Sequence, residues 1–215
     1  MIDVAGAPFH IAVFCKPVVT GTVKTRLIPA YGAEGAARIY AQLADQCLRT
    51  VQSACATGSA TASLWVAGNV SHATVVDWSN RFSLPAFAQC EGDLGARMFD
   101  CLSRLAISHG RVLLVGTDCP LLDVDHLLAA ADLLTPDCAW VFTPAEDGGY
   151  VLVGSNRPAP EPFINIAWSS AQVMAQTRTA MSNRSLRWAE TKTLWDVDDP
   201  ADVERACNAG LVDKP

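Results

Sequence analysis

A chain of 215 residues, 50% hydrophobic and 18% charged, holds ample material for a core and is expected to form one domain over residues 1–215. Its net charge of −6 excludes a broad face for nucleic acid or anionic membrane, because such faces need an extended basic surface. Its eight cysteines include no C-x-x-C pair and its four histidines (His10, His72, His109, His126) are scattered, which excludes a Cys/His zinc site by spacing.

The N-terminal stretch MIDVAGAPFH has no basic n-region and no long apolar run. No leader and no membrane span are expected, and reduced thiols in the cytoplasm fit the cysteine usage. HIAVFC, residues 10–15, reads as the first strand. In residues 32–54, Ala36, Tyr40, Leu43, Cys47 and Val51 recur at helical spacing, so a long amphipathic helix is expected. TASLWVAG reads as a second strand, SHATVVDWSNRF as a short helix opened by Ser71, and LPAFAQ as a weak third strand. A helix over 95–108 follows, with Met98, Cys101, Leu102 and Leu105 inward.

RVLLVG, residues 111–116, is the clearest strand, apolar after Arg111 as in a strand covered on both faces. A helix capped by Asp123, strands in CAWVFTPA and GYVLVG, and a Pro-rich loop over 156–162 come next. Residues 170–181 read as a helix opened by Ser169 or Ser170, residues 186–197 as mostly extended, and PADVERAC as a closing helix with Pro200 in its first turn. This alternation predicts an α/β fold, a three-layer sandwich whose mostly parallel central sheet carries helices on both faces. Ligands in such folds sit beyond the C-terminal strand ends, so the loops there are where chemistry is sought.

The loop CKPVVTGTVKTRL gathers Gly21, Lys24, Thr25 and Arg26 ahead of a helix. Backbone N–H groups near a helix start, with a Lys and an Arg, suit a phosphate chain; the plain alternative is a solvated loop. It is not a Walker A loop, since Val23 stands where the second Gly belongs. Asp118 lies just past the strongest strand, where a carboxylate holds Mg²⁺ or merely makes a turn. Cys119 has no histidine close in sequence and is not read as a nucleophile. Asp147 precedes Gly148 and Gly149, which permit close backbone approach to a ligand but also suit a plain hairpin. Of Asp196, Asp198 and Asp199, the last directly precedes Pro200 and is the expected helix cap, which leaves another as a second metal carboxylate.

The segments FCKPVVTGTVKTRL, GDLGARM, GTDCPLL, PAEDGGYVLVG, IAWSSAQV and WDVDDPADV, in that order, resemble a bacterial family of the nucleotide-diphospho-sugar transferase superfamily, often labelled glycosyltransferase. The resemblance covers roughly residues 10 to 207 and implies a single domain of the GT-A-like fold. It implies that Gly21, Lys24, Thr25 and Arg26 form the nucleotide-phosphate loop and that Asp118 and Asp198 hold Mg²⁺ (or Mn²⁺). Gly92, Gly95 and Arg97 would line the base and sugar; Asp147, Gly148, Gly149, Tyr150, Trp168 and Ser169 would form the acceptor side. The chain departs from the superfamily's V-D-T-P-E-D-L ending, with Asp199 for Thr and Ala201 for Glu, so Asp196 is a rival for the role of Asp198. It also lacks a D-x-D motif, because Cys119 and Pro120 follow Asp118.

Three readings follow. The first is a Mg²⁺-dependent nucleotidyltransferase joining a nucleoside triphosphate to a small phosphorylated or hydroxylated acceptor, with Lys24, Asp118 and Asp147 as catalytic residues. The second is a glycosyltransferase using a nucleotide-diphospho-sugar donor, with Asp147 as base. The third is a non-catalytic nucleotide- or sugar-binding protein. Lys24 and Arg26 are expected to be exposed and free of structural salt bridges. The sequence specifies no oligomeric state.

Overall fold

The computed structural model describes residues 8–213; residues 1–7, the bulk of the stretch read above as leader-free, lie outside them. Strands β1 (Phe9–Cys15), β2 (Ala60–Val66), β3 (Ala86–Ala88), β4 (Arg111–Val115), β5 (Trp140–Pro144), β6 (Tyr150–Ser155) and β7 (Trp188–Glu190) form one sheet in the order β3-β2-β1-β4-β6-β5-β7. Only β6 runs against its neighbours, β4 and β5; every other pairing is parallel. The C-terminal ends of β1, β4 and β5 therefore meet along one edge of the sheet.

Strand alternation sends Ile11, Val13, Leu113 and Val115 to one face and Ala12, Val112 and Leu114 to the other. The first face is covered by α1 (Ile28–Ala56), α2 (Ala73–Phe82) and α4 (Val124–Asp132), the second by α3 (Leu94–His109) and α5 (Val173–Asn183). All five residues of β4 are buried, as its unbroken apolar run requires. A third apolar cluster joins Leu27, Ile39 and Leu43 to Trp195, Val197 and Val203, the last from α6 (Pro200–Asn208). This cluster matters for the site, because it docks the C-terminal segment against the loop that follows β1.

The predicted elements stand, with two corrections at helix starts. Helix α2 is capped by His72, whose Nδ1 accepts from Thr74 N–H, and not by Ser71, which lies one residue earlier in a turn where its N–H donates to the Asn69 side chain. Helix α5 starts at Val173, not at Ser169 or Ser170. Ser170 Oγ donates to the Ala167 carbonyl and shapes the preceding turn, while the Gly148 carbonyl, from another loop, accepts Met174 N–H at 2.8 Å. By contrast, Asp123 and Asp199 cap α4 and α6 as read, and Asp199 forms a reciprocal capping box with Asp202. The expected helix start at Gly32 coincides with a kink in α1, where Gly32 adopts φ 68°.

Candidate active site

Four segments converge beyond the C-terminal strand ends: the loop after β1, the turn after β4, the turn after β5 and the stretch before α6. Backbone hydrogen bonds fix the last three to one another, and the Lys24 side chain joins the first to them. Val197 N–H donates to the Asp118 carbonyl, Leu194 N–H to the Pro144 carbonyl, and Glu146 N–H to the Leu194 carbonyl, each at 3.0 Å. The Arg205 guanidinium ties down Glu146 across the same junction. Residues far apart in sequence thus share one frame.

Within that frame Lys24 is central. It adopts the left-handed conformation, φ 46°, and its Nζ lies 3.0 Å from Asp118 Oδ2, 3.0 Å from Asp198 Oδ1 and 2.5 Å from the Val197 carbonyl. Its side chain is 6% exposed, against 40% for Asp118 and 37% for Asp198. The expectation of an exposed Lys24 free of salt bridges is therefore corrected: the third apolar cluster brings Asp198 over the loop and encloses the lysine. Burial alone would lower the Lys24 pKa; Asp118 and Asp198 outweigh it and raise it above the ordinary value. Arg26 is exposed as expected, yet its Nη1 reaches Asp198 Oδ2 at 3.2 Å, so it too is ion-paired.

Asp147, Asp196 and Asp198 each place a carboxylate oxygen within 4.8 Å of the other two. Burial, then the Asp147 and Asp198 carboxylates, pushes Asp196 up to about 7. A cluster of carboxylate oxygens whose charges resist one another is a donor set suited to a hard divalent cation. Asp118 stands apart from this trio, across the Lys24 ammonium from Asp198.

Most of the remaining expected residues line two adjoining spaces, while Gly21, Gly92, Gly95 and Gly148 line neither. An outer cleft of about 610 Å³ is lined by Lys24, Thr25, Arg26, Arg97, Asp118, Asp196 and Asp198. Gly21 lies in the same loop at φ +84°. Arg97 donates to the Gln89 side chain and the Asp93 carbonyl, on the rim formed by the start of α3. Gly92 (φ +122°) precedes that helix, and Gly95 is buried where a Cβ would meet the Trp168 ring at 2.8 Å. An inner pocket of about 230 Å³ is lined by Asp147, Gly149, Tyr150, Trp168 and Ser169 with Phe14, Leu94 and Met98. Gly149 N–H donates to Asp147 Oδ1 at 2.8 Å and holds that carboxylate in its turn. Gly148 is required: a Cβ there would lie 2.2 Å from the Ala171 carbonyl oxygen.

Sequence reasoning passed over Lys16, Tyr40, Gln89, Phe14, Leu94 and Met98. Lys16 lines the cleft, and its backbone is pinned by the Tyr40 hydroxyl, which accepts Lys16 N–H at 2.8 Å and donates to the Lys16 carbonyl at 3.1 Å. Lys16 alone carried a signal, as a third cation in the same loop; the apolar residues read only as core. Cys119 is buried and its thiol is pushed up to about 12, which removes it as a nucleophile.

The fold is that of the nucleotide-diphospho-sugar transferases. A protein from Desulfovibrio desulfuricans G20, provisionally described as a nucleotide-diphospho-sugar transferase, superposes with a TM-score of 0.80 at 26% identity, over 92% of this chain and 85% of its own. A nucleotidyl transferase from Methanothermobacter thermautotroptrophicus superposes at 0.65 with 12% identity, over 94% and 97% of the two chains. Glucosyl-3-phosphoglycerate synthase from Mycobacterium tuberculosis, in complex with Mn²⁺, UDP and glucosyl-3-phosphoglycerate, superposes at 0.52 with 9% identity, over 96% and 78%. No curated protein matches the sequence. Residues 50–170 match a family model over more than half of the chain, and the protein belongs to that family, described as "Uncharacterized protein conserved in bacteria (DUF2064)".

Proposed function

We propose that the protein is a divalent-cation-dependent nucleotidyltransferase, a single domain over residues 1–215 that works in the cytoplasm and joins a nucleoside triphosphate to a small acceptor. The observation that carries this reading is the convergence of Lys24, Arg26, Lys16 and Arg97 with Asp118, Asp196 and Asp198 around one cleft at the C-terminal strand ends, with Asp147 joining Asp196 and Asp198 from the adjoining pocket. Four cations suit a triphosphate, and the carboxylates come from separate segments, as befits a site without a D-x-D motif.

In this mechanism Lys24 and Arg26 exchange part of their carboxylate pairing for phosphate oxygens and hold the nucleotide. Asp198, Asp196 and Asp147, with Asp118 opposite, would hold Mg²⁺ or Mn²⁺, which when bound offsets the negative charge on reacting phosphate oxygens. Gly21 and Thr25 leave backbone N–H groups free to approach the phosphates, while Gly92, Gly95 and Arg97 border the base and sugar. Asp147 faces the acceptor side and takes the proton of the acceptor hydroxyl.

Glycosyl transfer from a nucleotide sugar is the second reading. It is favoured by Asp147, which lines the inner pocket and so stands where a base toward an acceptor hydroxyl is needed. The same fold accommodates both chemistries in the solved structures, so the fold does not choose between them. The deciding experiment is a coupled pyrophosphate assay over nucleoside triphosphates and acceptors, run beside a nucleotide-sugar panel, each with and without Mg²⁺. Pyrophosphate release that needs Mg²⁺ supports the first reading; turnover confined to nucleotide sugars replaces it with the second.

A further inference from the structure

The two spaces of the site differ in charge, and the difference bears on the acceptor. Lys16, Lys24, Arg26 and Arg97 all line the outer cleft. Among the described residues the inner pocket is lined by no lysine, arginine or histidine. Its walls are Phe14, Leu94, Met98, Tyr150, Trp168 and Val173, and its polar groups are the Asp147 carboxylate, Ser169, Ser170, the Tyr150 hydroxyl and the Trp168 indole N–H, the last buried without a hydrogen-bond partner among the described residues. The Tyr150 and Trp168 rings meet edge to face at 6.5 Å and form one corner. Phe14, Leu94, Gly116, Tyr150, Val151 and Ser169 line both spaces and mark the mouth between them.

An acceptor must present its reacting oxygen at that mouth, beside Asp147 and toward the nucleotide. The rest of the molecule then points into the inner pocket. Beyond the cation that Asp147 would help to hold at the mouth, a phosphate or carboxylate carried into the pocket would lose its water and find no lysine, arginine or histidine, an arrangement that costs more than apolar contact returns. The pocket is also shaped in advance. Gly148 is wedged against Ala171, its carbonyl accepts Met174 N–H, and Trp168 packs on Gly95, so the wall cannot recede to admit a hydrated ion.

From this juxtaposition, and on the transferase reading above, we infer that the acceptor is a hydroxyl compound whose far end is apolar and uncharged, not a sugar phosphate or other anion. In nucleotidyl transfer its oxygen bonds to the α-phosphorus of the triphosphate and the α–β phosphoanhydride bond breaks. Pyrophosphate departs with the bonding electrons, and the hydroxyl proton passes to Asp147.

The test uses the full chain and two probes that differ in charge, 2-phenylethanol and phenyl phosphate, followed by ligand-observed NMR and by the indole N–H signal of Trp168, identified with Trp168→Phe. The alcohol is expected to bind and to move the Trp168 signal, and phenyl phosphate to leave that signal in place. Filling the pocket by Leu94→Phe or Val173→Phe is expected to weaken the alcohol about tenfold. Phenyl phosphate that moves the Trp168 signal as strongly as the alcohol overturns the inference, as does an alcohol that leaves it still. Nucleotide binding is read in the same samples by thermal shift with Mg²⁺. A missing nucleotide shift counts against the transferase reading alone, because the chemistry of the pocket is judged by the two probes.

Discussion

Lys24 Nζ and Asp198 Oδ1 stand 3.0 Å apart although 174 residues separate them in sequence, and the same ammonium reaches Asp118 at an equal distance. One buried cation therefore holds together two carboxylates, one from the turn after β4 and one from the stretch before α6, that would otherwise repel. The lysine is a structural clasp and, on the function proposed above, also a phosphate ligand.

This double role separates Lys24→Ala from Arg26→Ala. Lys24→Ala removes the ammonium between Asp118 and Asp198, leaves Asp198 only its exposed pair with Arg26, and is expected to lower stability by about 1–3 kcal/mol, the figure tempered by their partial exposure. Arg26, 65% exposed, is expected to cost less than about 1 kcal/mol. Urea unfolding with and without Mg²⁺ checks this, and added Mg²⁺ should restore part of the loss in Lys24→Ala only. Both variants should weaken nucleotide binding, each by about 1.5–3 kcal/mol for a charge-assisted phosphate bond.

Neutralising the carboxylates one at a time tests the cation site. Asp198→Asn and Asp118→Asn are each expected to reduce turnover by about 10²–10³-fold, the scale seen when one transition-state stabiliser is removed. Asp196→Asn should raise the Mg²⁺ concentration needed for half-maximal rate. If turnover and Mg²⁺ dependence survive all three changes, the carboxylates do not serve the reaction.

Gly148→Ala should be among the most damaging single-methyl additions. The new Cβ would overlap the Ala171 carbonyl in a backbone held at φ +90°. A loss of about 2–4 kcal/mol is expected, together with faster amide exchange at Met174, whose N–H donates to the displaced Gly148 carbonyl.

His10 supplies a pH dependence remote from the site. Its ring is buried against Thr61 Oγ1 and Ser63 Oγ and stacks on His109 at 4.2 Å. Burial, and then His109, lowers its pKa from 6.5 to about 4. Between those values the unfolded chain binds a proton that the folded chain refuses, so stability is full above pH 6.5 and is lost as pH falls toward 4. The loss is on the order of 3 kcal/mol and should flatten in His10→Gln, as followed by thermal unfolding across that range.

The sequence by itself determined the elements and the edge of the sheet to search. Apolar runs and helical spacing are local signals, so β4, the long α1 and the caps Asp123 and Asp199 could be read directly. The resemblance of six ordered motifs carried the fold, since their order reflects the alternation of strands and helices. Only the tertiary structure decided how the charges are paired. Lys24 looked like a free loop lysine because its partners lie across the whole chain. They reach it only when Trp195, Val197 and Val203 dock on Leu27 and Leu43. The grouping of Asp147 with Asp196 and Asp198 was hidden for the same reason, as it depends on backbone bonds between the β5 turn and the segment before α6. The start of α5 depended on a carbonyl from another loop, and the apolar inner pocket on side chains that locally read as core. A residue's type and spacing report what it can do, but distances between separate segments are set by packing, and at this site that packing settles which charge neutralises which.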